Sequence, residues 1–178
     1  MDAIELAFLL IGMNRLDEAE PLLVDLIARR EAAAGKESLS LIAPLSNLAN
    51  AQLRLGRSAE ALVILERAQG LLAIARAEPA PLAFHLVIAR GRADALRDLG
   101  RLKESRAVLD QADALGASLP REDVRVLALQ GTRARLLVAQ GERERGIALL
   151  DQTIAALRAS TDKHNPTLSA LLEARAHL

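Results

Sequence analysis

The stretch from Leu48 to Ala68 constrains the fold most, because its pattern returns elsewhere in the chain. It consists of two segments whose apolar and small residues recur at helical spacing, and the segments meet at Gly56. Glycine readily adopts the left-handed backbone that ends one helix abruptly and lets another begin. Ala49 and Ala61, one on each segment, leave room for the two helices to pack closely. A unit of this size cannot bury its own apolar face, so the pattern predicts a stack of such units.

Three more corners align with Gly56, at spacings of 42 (14 to 56), 44 (56 to 100) and 41 (100 to 141) residues. These corners are Asn14-Arg15, Gly100-Arg101 and Gly141-Glu142. Seven residues before each corner stands an alanine: Ala7, Ala49, Ala93 and Ala134. Five residues after each corner stands a small residue: Ala19, Ala61, Ser105 and Gly146. Nine residues after each corner stands a leucine: Leu23, Leu65, Leu109 and Leu150. Columns that hold in all four copies indicate internal repetition.

Composition narrows the fold class and the kinds of partner. Phe8 and Phe84 are the only aromatic residues, so the core must consist of Leu, Ala, Ile and Val, which favours packed helices. The chain has 23 basic and 23 acidic residues, so no net charge attracts it to nucleic acid or to an anionic membrane. Cysteine is absent, which excludes disulfides and thiolate metal sites. No stretch is apolar enough to span a bilayer and the first residues lack a signal-peptide pattern, so we expect a cytoplasmic protein.

Helical periodicity and the breakers between helices predict four helix pairs and a ninth helix, with no competing strand pattern. Gly35 is placed to end the second helix, and the proline-containing segments 78–81 and 118–120 interrupt the chain later. The predicted helices span about 2–13, 16–34, 42–55, 58–77, 82–99, 102–117, 123–140, 143–159 and 167–178. We expect a single domain, 1–178, whose repeats span about 1–37, 38–79, 80–120 and 121–163, followed by an extra helix at 166–178.

Several segments resemble the tetratricopeptide repeat (TPR), in the longer subtype found in kinesin light chains and many bacterial regulatory proteins. They are Leu45-Ser46-Asn47-Leu48-Ala49, Leu55-Gly56-Arg57, Asp17-Glu18-Ala19-Glu20-Pro21-Leu22 and, in a loosened form, His164-Asn165-Pro166-Thr167. The resemblance implies an all-α, right-handed α-α superhelix of antiparallel helix pairs. Two departures are that Arg92 and Arg133 stand in a usually apolar column, eight residues before the corner.

In this family the first helix of each pair lines a concave groove. The resemblance therefore implies a peptide-binding or partner-binding site at Asn47, Asn50, Arg54, Arg90, Asp94, Arg97 and Arg135. Asn50 and Asn47 would hydrogen-bond the backbone of an extended peptide, and the groove arginines would meet a ligand carboxylate or phosphate. Arg54 lies near the rim. The alternative is that Arg90, Asp94 and Arg97 only form ordinary ion pairs within one exposed helix.

More specific sites are not supported. The chaperone-tail-binding TPR domains use a carboxylate clamp, and only Asn50 matches a clamp position, so that ligand is excluded. His85, His164 and His177 fall in different elements without the spacing of metal ligands. No activated nucleophile and no phosphate-binding glycine loop is present, so we expect no catalytic residues, no metal and no cofactor.

The leading hypothesis is a non-catalytic protein-interaction scaffold, as the regulatory or sensing part of a larger bacterial signalling protein. The remainder of that protein would be a kinase, a switch ATPase or a transcription regulator, and the chain is expected to be a fragment. An alternative is homo-oligomerisation through uncapped repeat ends that carry Leu9, Leu10, Leu171 and Leu172. A standalone enzyme is the third possibility. Exchanging Arg90 and Arg97 together for glutamate is expected to abolish binding of an acidic peptide without loss of helicity.

Overall fold

The computed structural model describes residues 2–74, 81–160 and 166–176, and within these ranges the chain is all-α with no strand. The helices are α1 (Ala3–Gly12), α2 (Leu16–Ala34), α3 (Ile42–Arg54), α4 (Ser58–Ile74), α5 (Leu82–Asp98), α6 (Leu102–Leu115), α7 (Val124–Ala139), α8 (Arg143–Ser160) and α9 (Pro166–Ala176). They confirm the predicted all-α fold of helix pairs. Residues 78–80 of the predicted breaker at 78–81 lie outside the described residues, and so do residues 161–165.

The connector between α2 and α3 is not irregular throughout. A short 3-10 helix, Leu39–Leu41, begins within it and precedes α3. The Ser38 hydroxyl accepts a hydrogen bond from the Ser40 amide at 3.2 Å, which caps this turn. Leu41 has no solvent exposure, because the turn inserts it into the core beneath α3. The connector therefore also contributes to packing.

All four corners have the same backbone structure. The corner residue has a positive φ each time: 59° at Asn14, 74° at Gly56, 74° at Gly100 and 87° at Gly141. The residue after the corner donates its amide to a carbonyl five residues earlier, as in Arg57 to Gln52 at 2.8 Å. The corner amide itself donates to a carbonyl three residues earlier, as in Gly56 to Leu53 at 3.1 Å. These two bonds define a Schellman motif, which satisfies the last carbonyls of each first helix.

The three repeated columns form the interior of each helix pair. The alanines before the corners and the leucines after them are at most 1 % exposed: Ala7, Ala49, Ala93, Ala134, Leu23, Leu65, Leu109 and Leu150. The small column after the corner touches the backbone of the first helix. There, the buried Ser105 hydroxyl donates to the Ala93 carbonyl at 2.7 Å. A Cβ added at Gly146 would lie 2.7 Å from the Ala134 carbonyl oxygen, so only small residues fit.

The helix pairs stack so that their first helices form one layer. Along the chain, α1, α3, α5, α7 and α9 each pack beside the next member of this series. Each second helix packs on its own partner and on the first helix of the next pair, as α4 does on α3 and α5. Among the described residues, the second helices make no extensive contact with one another. The second helices therefore lie farther apart from one another than the first helices do. The first-helix layer forms the inner, concave side of the stack.

Two glycines within first helices allow close approach of a neighbouring leucine. A Cβ added at Gly91 would lie 3.0 Å from Leu65 Cδ1 of α4. A Cβ added at Gly131 would lie 2.3 Å from Leu171 Cδ2 of α9. No helix in the described ranges is both long and apolar enough to cross a membrane.

Candidate functional site

The predicted site residues all lie on the first-helix layer. Asn47, Asn50 and Arg54 are on α3, Arg90, Asp94 and Arg97 are on α5, and Arg135 is on α7. Asn50, Asp94 and Arg135 occupy the same register position, six residues before their corners. Because α3, α5 and α7 pack side by side, this register places the three side chains in one row across the concave face. We call this face, with these seven residues, the groove.

Asp94 is the centre of a polar network that joins two repeats. Its side chain is 13 % exposed and accepts hydrogen bonds from Arg97 at 2.6 Å and from Arg135 at 3.0 Å. The Thr132 hydroxyl on α7 donates to the same carboxylate at 3.4 Å. Arg97 also pairs with Asp98, at 2.6 Å. The structure therefore brings together three of the predicted residues, and Thr132 and Asp98 join them.

The electrostatic environment of this network is unfavourable for one of its cations. Burial lowers the pKa of Arg97, but the Asp94 and Asp98 carboxylates outweigh it, so the net direction is upward. Burial lowers the pKa of Arg135 more than Asp94 raises it, and the charges of Arg97 and Arg90 lower it further. The Arg135 Nε atom is also buried without a hydrogen-bond partner among the described residues. An arginine stays protonated in such a place, so the charge is undercompensated.

Arg90 supplies a cation without an anion of its own. It is half-buried on α5, and among the described residues it has no ion pair and no hydrogen bond. The predicted alternative pair between Arg90 and Asp94 does not form, because Asp94 is bonded to Arg97 and Arg135. The predicted pair between Asp94 and Arg97 does form. With Arg90 beside the network, three guanidinium groups thus face two carboxylates.

The asparagines are available, whereas Arg54 is already occupied. Asn47 and Asn50 are half-buried, and their carboxamides have no hydrogen-bond partner in the described part of the chain. Arg54 is exposed, but its Nη1 donates to the Ile11 carbonyl of α1 at 2.5 Å. That bond caps α1 across the repeat boundary. A ligand at Arg54 would therefore have to share it with the α1 backbone.

Sequence reasoning missed one exposed aromatic residue in the same row. Phe8 stands six residues before the Asn14 corner, which is the register of Asn50, and it is 51 % exposed. The column alignment contained this signal, since Phe8 is the fourth member of the row. Gly131, by contrast, falls at a groove position but is covered by Leu171 of α9. The accessible groove therefore runs from α1 to α7.

The residues proposed for end-to-end association divide into two groups. Leu10 and Leu171 are only 7 % and 4 % exposed and belong to the core. Leu9 and Leu172 are 50 % and 38 % exposed. Only the second group is placed to contact another molecule.

No cluster of three or more potential metal ligands is present in the described ranges. His85 lies on α5, away from any acidic cluster, and His164 and His177 are outside the described residues.

Residues 2–73 and 86–111 match models of the tetratricopeptide repeat, and together these segments cover more than half of the chain. The chain belongs to the tetratricopeptide repeat family. This TPR domain is also similar to the crystal structure of a Podosopora anserina protein described as a kinesin light chain with nearly identical TPR-like repeats. The similarity covers 98 % of this chain and 82 % of that one, at 26 % identity and a TM-score of 0.65.

A substituted form of the same Podosopora anserina protein gives 26 % identity over 98 % of this chain and 82 % of that chain, with a TM-score of 0.64. A search of curated protein sequences found no significant match. The repeats are thus TPR repeats of the kinesin-light-chain-like type, as the corner and the Glu20-Pro21-Leu22 segment predicted. Arrays of this kind act as protein-interaction scaffolds and use an extended concave surface.

Proposed function

We propose that the groove of this TPR domain binds an extended, acidic peptide segment of a partner protein. The observation that carries the proposal is the undercompensated positive charge at Arg90 and Arg135. A ligand carboxylate at this point adds the missing anion, and a hydrogen bond between charged groups is stronger than a neutral one. The guanidinium fork also favours a carboxylate with a defined orientation.

The asparagines support an extended backbone as the rest of the ligand. A carboxamide both donates and accepts, so Asn47 and Asn50 can each hydrogen-bond a peptide group. Both lie on α3, next to α5 and its arginines. On the far side, the exposed Phe8 provides apolar contact area at α1. The ligand best suited to this row has an acidic residue at one end and an apolar residue toward the other.

The proposal is tested with short fluorescein-labelled peptides that alternate Glu with Leu and Ala. Peptides of the same sequence with Gln in place of Glu serve as neutral controls. Fluorescence polarisation then compares the wild-type domain with Arg90→Glu and with Lys103→Glu. Lys103 is exposed on α6, outside the groove, and has no ion pair in the described part of the chain, so this variant matches the charge change.

We expect acidic peptides to bind more tightly than neutral ones, and Arg90→Glu to weaken their binding by about tenfold or more, as for loss of a charged hydrogen bond. Lys103→Glu should leave binding close to wild type. Equal losses in both variants would indicate only a general charge effect and would contradict the groove. Unchanged binding in Arg90→Glu would contradict it directly.

Arg97 is unsuitable for this test. The double exchange of Arg90 and Arg97 for glutamate, which the sequence suggested, is therefore replaced by Arg90→Glu alone. Its side chain is 14 % exposed and bonded to both Asp94 and Asp98. Replacing it with glutamate would gather three carboxylates at one point and would destabilise the fold. A loss of binding in that variant would not report on the groove alone.

We further propose that the domain is the regulatory or sensing part of a larger bacterial signalling protein in the cytoplasm. The charge-specific groove supports such a role, because a scaffold that selects one peptide can recruit or release a partner. Sequencing the complete gene tests this context. A fused kinase, switch ATPase or transcription-regulator domain would support it, and a gene that encodes only these repeats would contradict it.

A second candidate function, self-association, is favoured by the apolar surface of α1. Leu9 is 50 % exposed and Met13 is 64 % exposed. The residues equivalent to Leu9 in later repeats are covered by a neighbouring repeat: Ala51, Ala95 and Leu136. Light scattering after size exclusion decides the matter: a dimer that Leu9→Glu converts to a monomer supports association, and a monomer at all concentrations excludes it.

A further inference from the structure

A second polar site lies on the side of α5 that faces away from the groove. Here α4 and α6 flank a cleft of about 300 Å³ whose floor is α5. Four polar side chains line it: Gln69 of α4, His85 and Arg92 of α5, and Gln111 of α6. Among the residues that the structure describes, which leave out 75–80 between α4 and α5, no acidic residue lines the cleft. Small-molecule sites begin at roughly this size, so the cleft can hold a small ligand.

Arg92 is the unusual residue in this cleft. Its Nε atom is buried without a hydrogen-bond partner, and its guanidinium makes no ion pair with any described residue. The side chains of Gln69, His85 and Gln111 likewise have no hydrogen-bond partner among the described residues. A buried polar atom that stays unpaired is costly, and a ligand that hydrogen-bonds it removes this cost.

In the next repeat, the arginine equivalent to Arg92 has ion-pair partners within the chain. Arg133 on α7 is in the same register as Arg92, eight residues before its corner. It pairs with Asp110 at 2.8 Å and with Asp113 at 2.6 Å, both on α6. The residue of α4 equivalent to Asp113 is the neutral Gln69. Glu66, the equivalent of Asp110, forms no ion pair with Arg92.

We propose that the Arg92 cleft binds a carboxylate supplied by a ligand. The carboxylate would take the place that Asp113 fills beside Arg133, with the carboxamides of Gln69 and Gln111 as further donors. A single planar guanidinium matches the two oxygens of a carboxylate. This carboxylate can belong to a free small acid or to a glutamate side chain exposed on a partner protein.

The direct test follows the Arg92 Nε–Hε signal and the glutamine side-chain amides by ¹⁵N NMR during titration of the intact domain. The probes are glutarate, the blocked tripeptide acetyl-Ala-Glu-Ala-amide, neutral glutaramide and inorganic phosphate. We expect saturable shifts of these signals with at least one of the two carboxylates, and none with glutaramide. Response to glutarate alone identifies a free acid as the ligand, and response to the tripeptide alone identifies a side chain.

Two variants make the assignment specific. Arg92→Leu restores the leucine found in this register at Leu6 and Leu48, and Gln69→Asp supplies an internal partner like Asp113. Both should fold and should lower carboxylate affinity by about tenfold or more. Arg143→Leu, at an exposed arginine of α8 without an ion pair in the described residues, is the matched control and should bind normally.

Several results would overturn the proposal. They are the absence of saturable shifts with both carboxylates, a response to phosphate alone, and unchanged affinity in Gln69→Asp. The last result is informative even if Arg92→Leu fails to fold, because Gln69→Asp leaves Arg92 in place. Binding of the labelled peptides in the groove should be unaffected by either cleft variant, so the two sites are tested separately.

Discussion

Asn14 occupies a position that the other three repeats give to glycine. Its φ of 59° places it in the left-handed region, close to the 74° of Gly56 and Gly100. Asparagine enters this region more easily than other residues with a side chain, because its short polar group can bond locally. The corner therefore depends on backbone conformation, and glycine meets that requirement most simply.

This leads to a prediction about two glycines of the same repeat. Gly56→Ala places a Cβ at φ 74° and should lower the free energy of unfolding by about 1–2 kcal/mol. Gly70→Ala, within α4, adds the same methyl group where no atom lies within 4 Å and φ is ordinary. It should raise the free energy of unfolding by about 0.5–1 kcal/mol through helix propensity. Urea denaturation followed by circular dichroism measures both.

The opposite signs are the essential result. If both substitutions stabilise the domain, the corner does not require a left-handed residue. If both destabilise it to the same degree, the cost does not come from the left-handed backbone at Gly56.

At the scale of the elements, α7 begins with a side-chain cap. Asp123 accepts a hydrogen bond from the Arg125 amide at 2.9 Å and pairs with the Arg125 guanidinium at 2.6 Å. The hydrogen bond from the Arg125 side chain is the largest of the effects that lower the pKa of Asp123, from 3.8 to about 2. Such a residue satisfies an otherwise free amide and complements the helix dipole.

The cap predicts a specific dependence of stability on pH. Asp123→Ala should lower the free energy of unfolding by about 1 kcal/mol at neutral pH, since the cap is lost. Because the folded pKa is below the unfolded one, the charged form stabilises the fold above pH 3.8, and this contribution disappears as pH falls toward about 2. Asp123→Asn keeps the cap acceptor but has no charge to titrate.

Denaturation of the wild-type domain and of Asp123→Asn across this acid range provides the measurement. The difference between the two should shrink as pH falls. A constant difference would show that the Asp123 carboxylate is not stabilised in the folded state.

At the level of elements, the sequence predicted what depends on local structure. Asp123, Gly35 and the four corners mark helix ends through their own backbone preferences, and the structure confirms them. Arg54 and Ile11 are 43 residues apart in sequence, and the bond between them depends on how α3 packs beside α1. Side-chain periodicity contains no information on that distance.

At the scale of the whole molecule, the extensive helix contacts among the described residues are within one repeat or between adjacent repeats. At its C-terminal part, Leu171 of α9 fills the space left by Gly131 of α7. Gly131→Ala places a Cβ that overlaps Leu171 Cδ2, so the Leu171 side chain must move and its packing between α7 and α9 is disturbed. We expect faster amide hydrogen exchange in α9 and unchanged exchange in α1 to α4.

The double variant Gly131→Ala with Leu171→Ala supplies the control. Removing the leucine side chain relieves the overlap, so the two substitutions should be less than additive by about 0.5–3 kcal/mol. Additive effects would mean that the two residues do not interact. Faster exchange throughout the domain would contradict the nearest-neighbour behaviour.

In the groove too, the sequence predicted the positions of residues but not the contacts between repeats. Its residues were located by register, and the structure places Asn50, Asp94 and Arg135 in one row. The bond between Asp94 and Arg135 was not predicted, because it joins residues 41 apart whose approach is set by stacking. Nor did the sequence show that α9 covers Gly131.

The bond between Asp94 and Arg135 has a consequence for selectivity. A ligand carboxylate that approaches Arg135 competes with a carboxylate already attached to the protein, at an effective concentration set by the fold. An isolated acidic group is therefore a weak competitor. A longer ligand that is held at the same time by Asn47 or Asn50 has an effective concentration of its own. For the proposed peptide ligand, the internal competitor would thus set a threshold that selects by length as well as by charge.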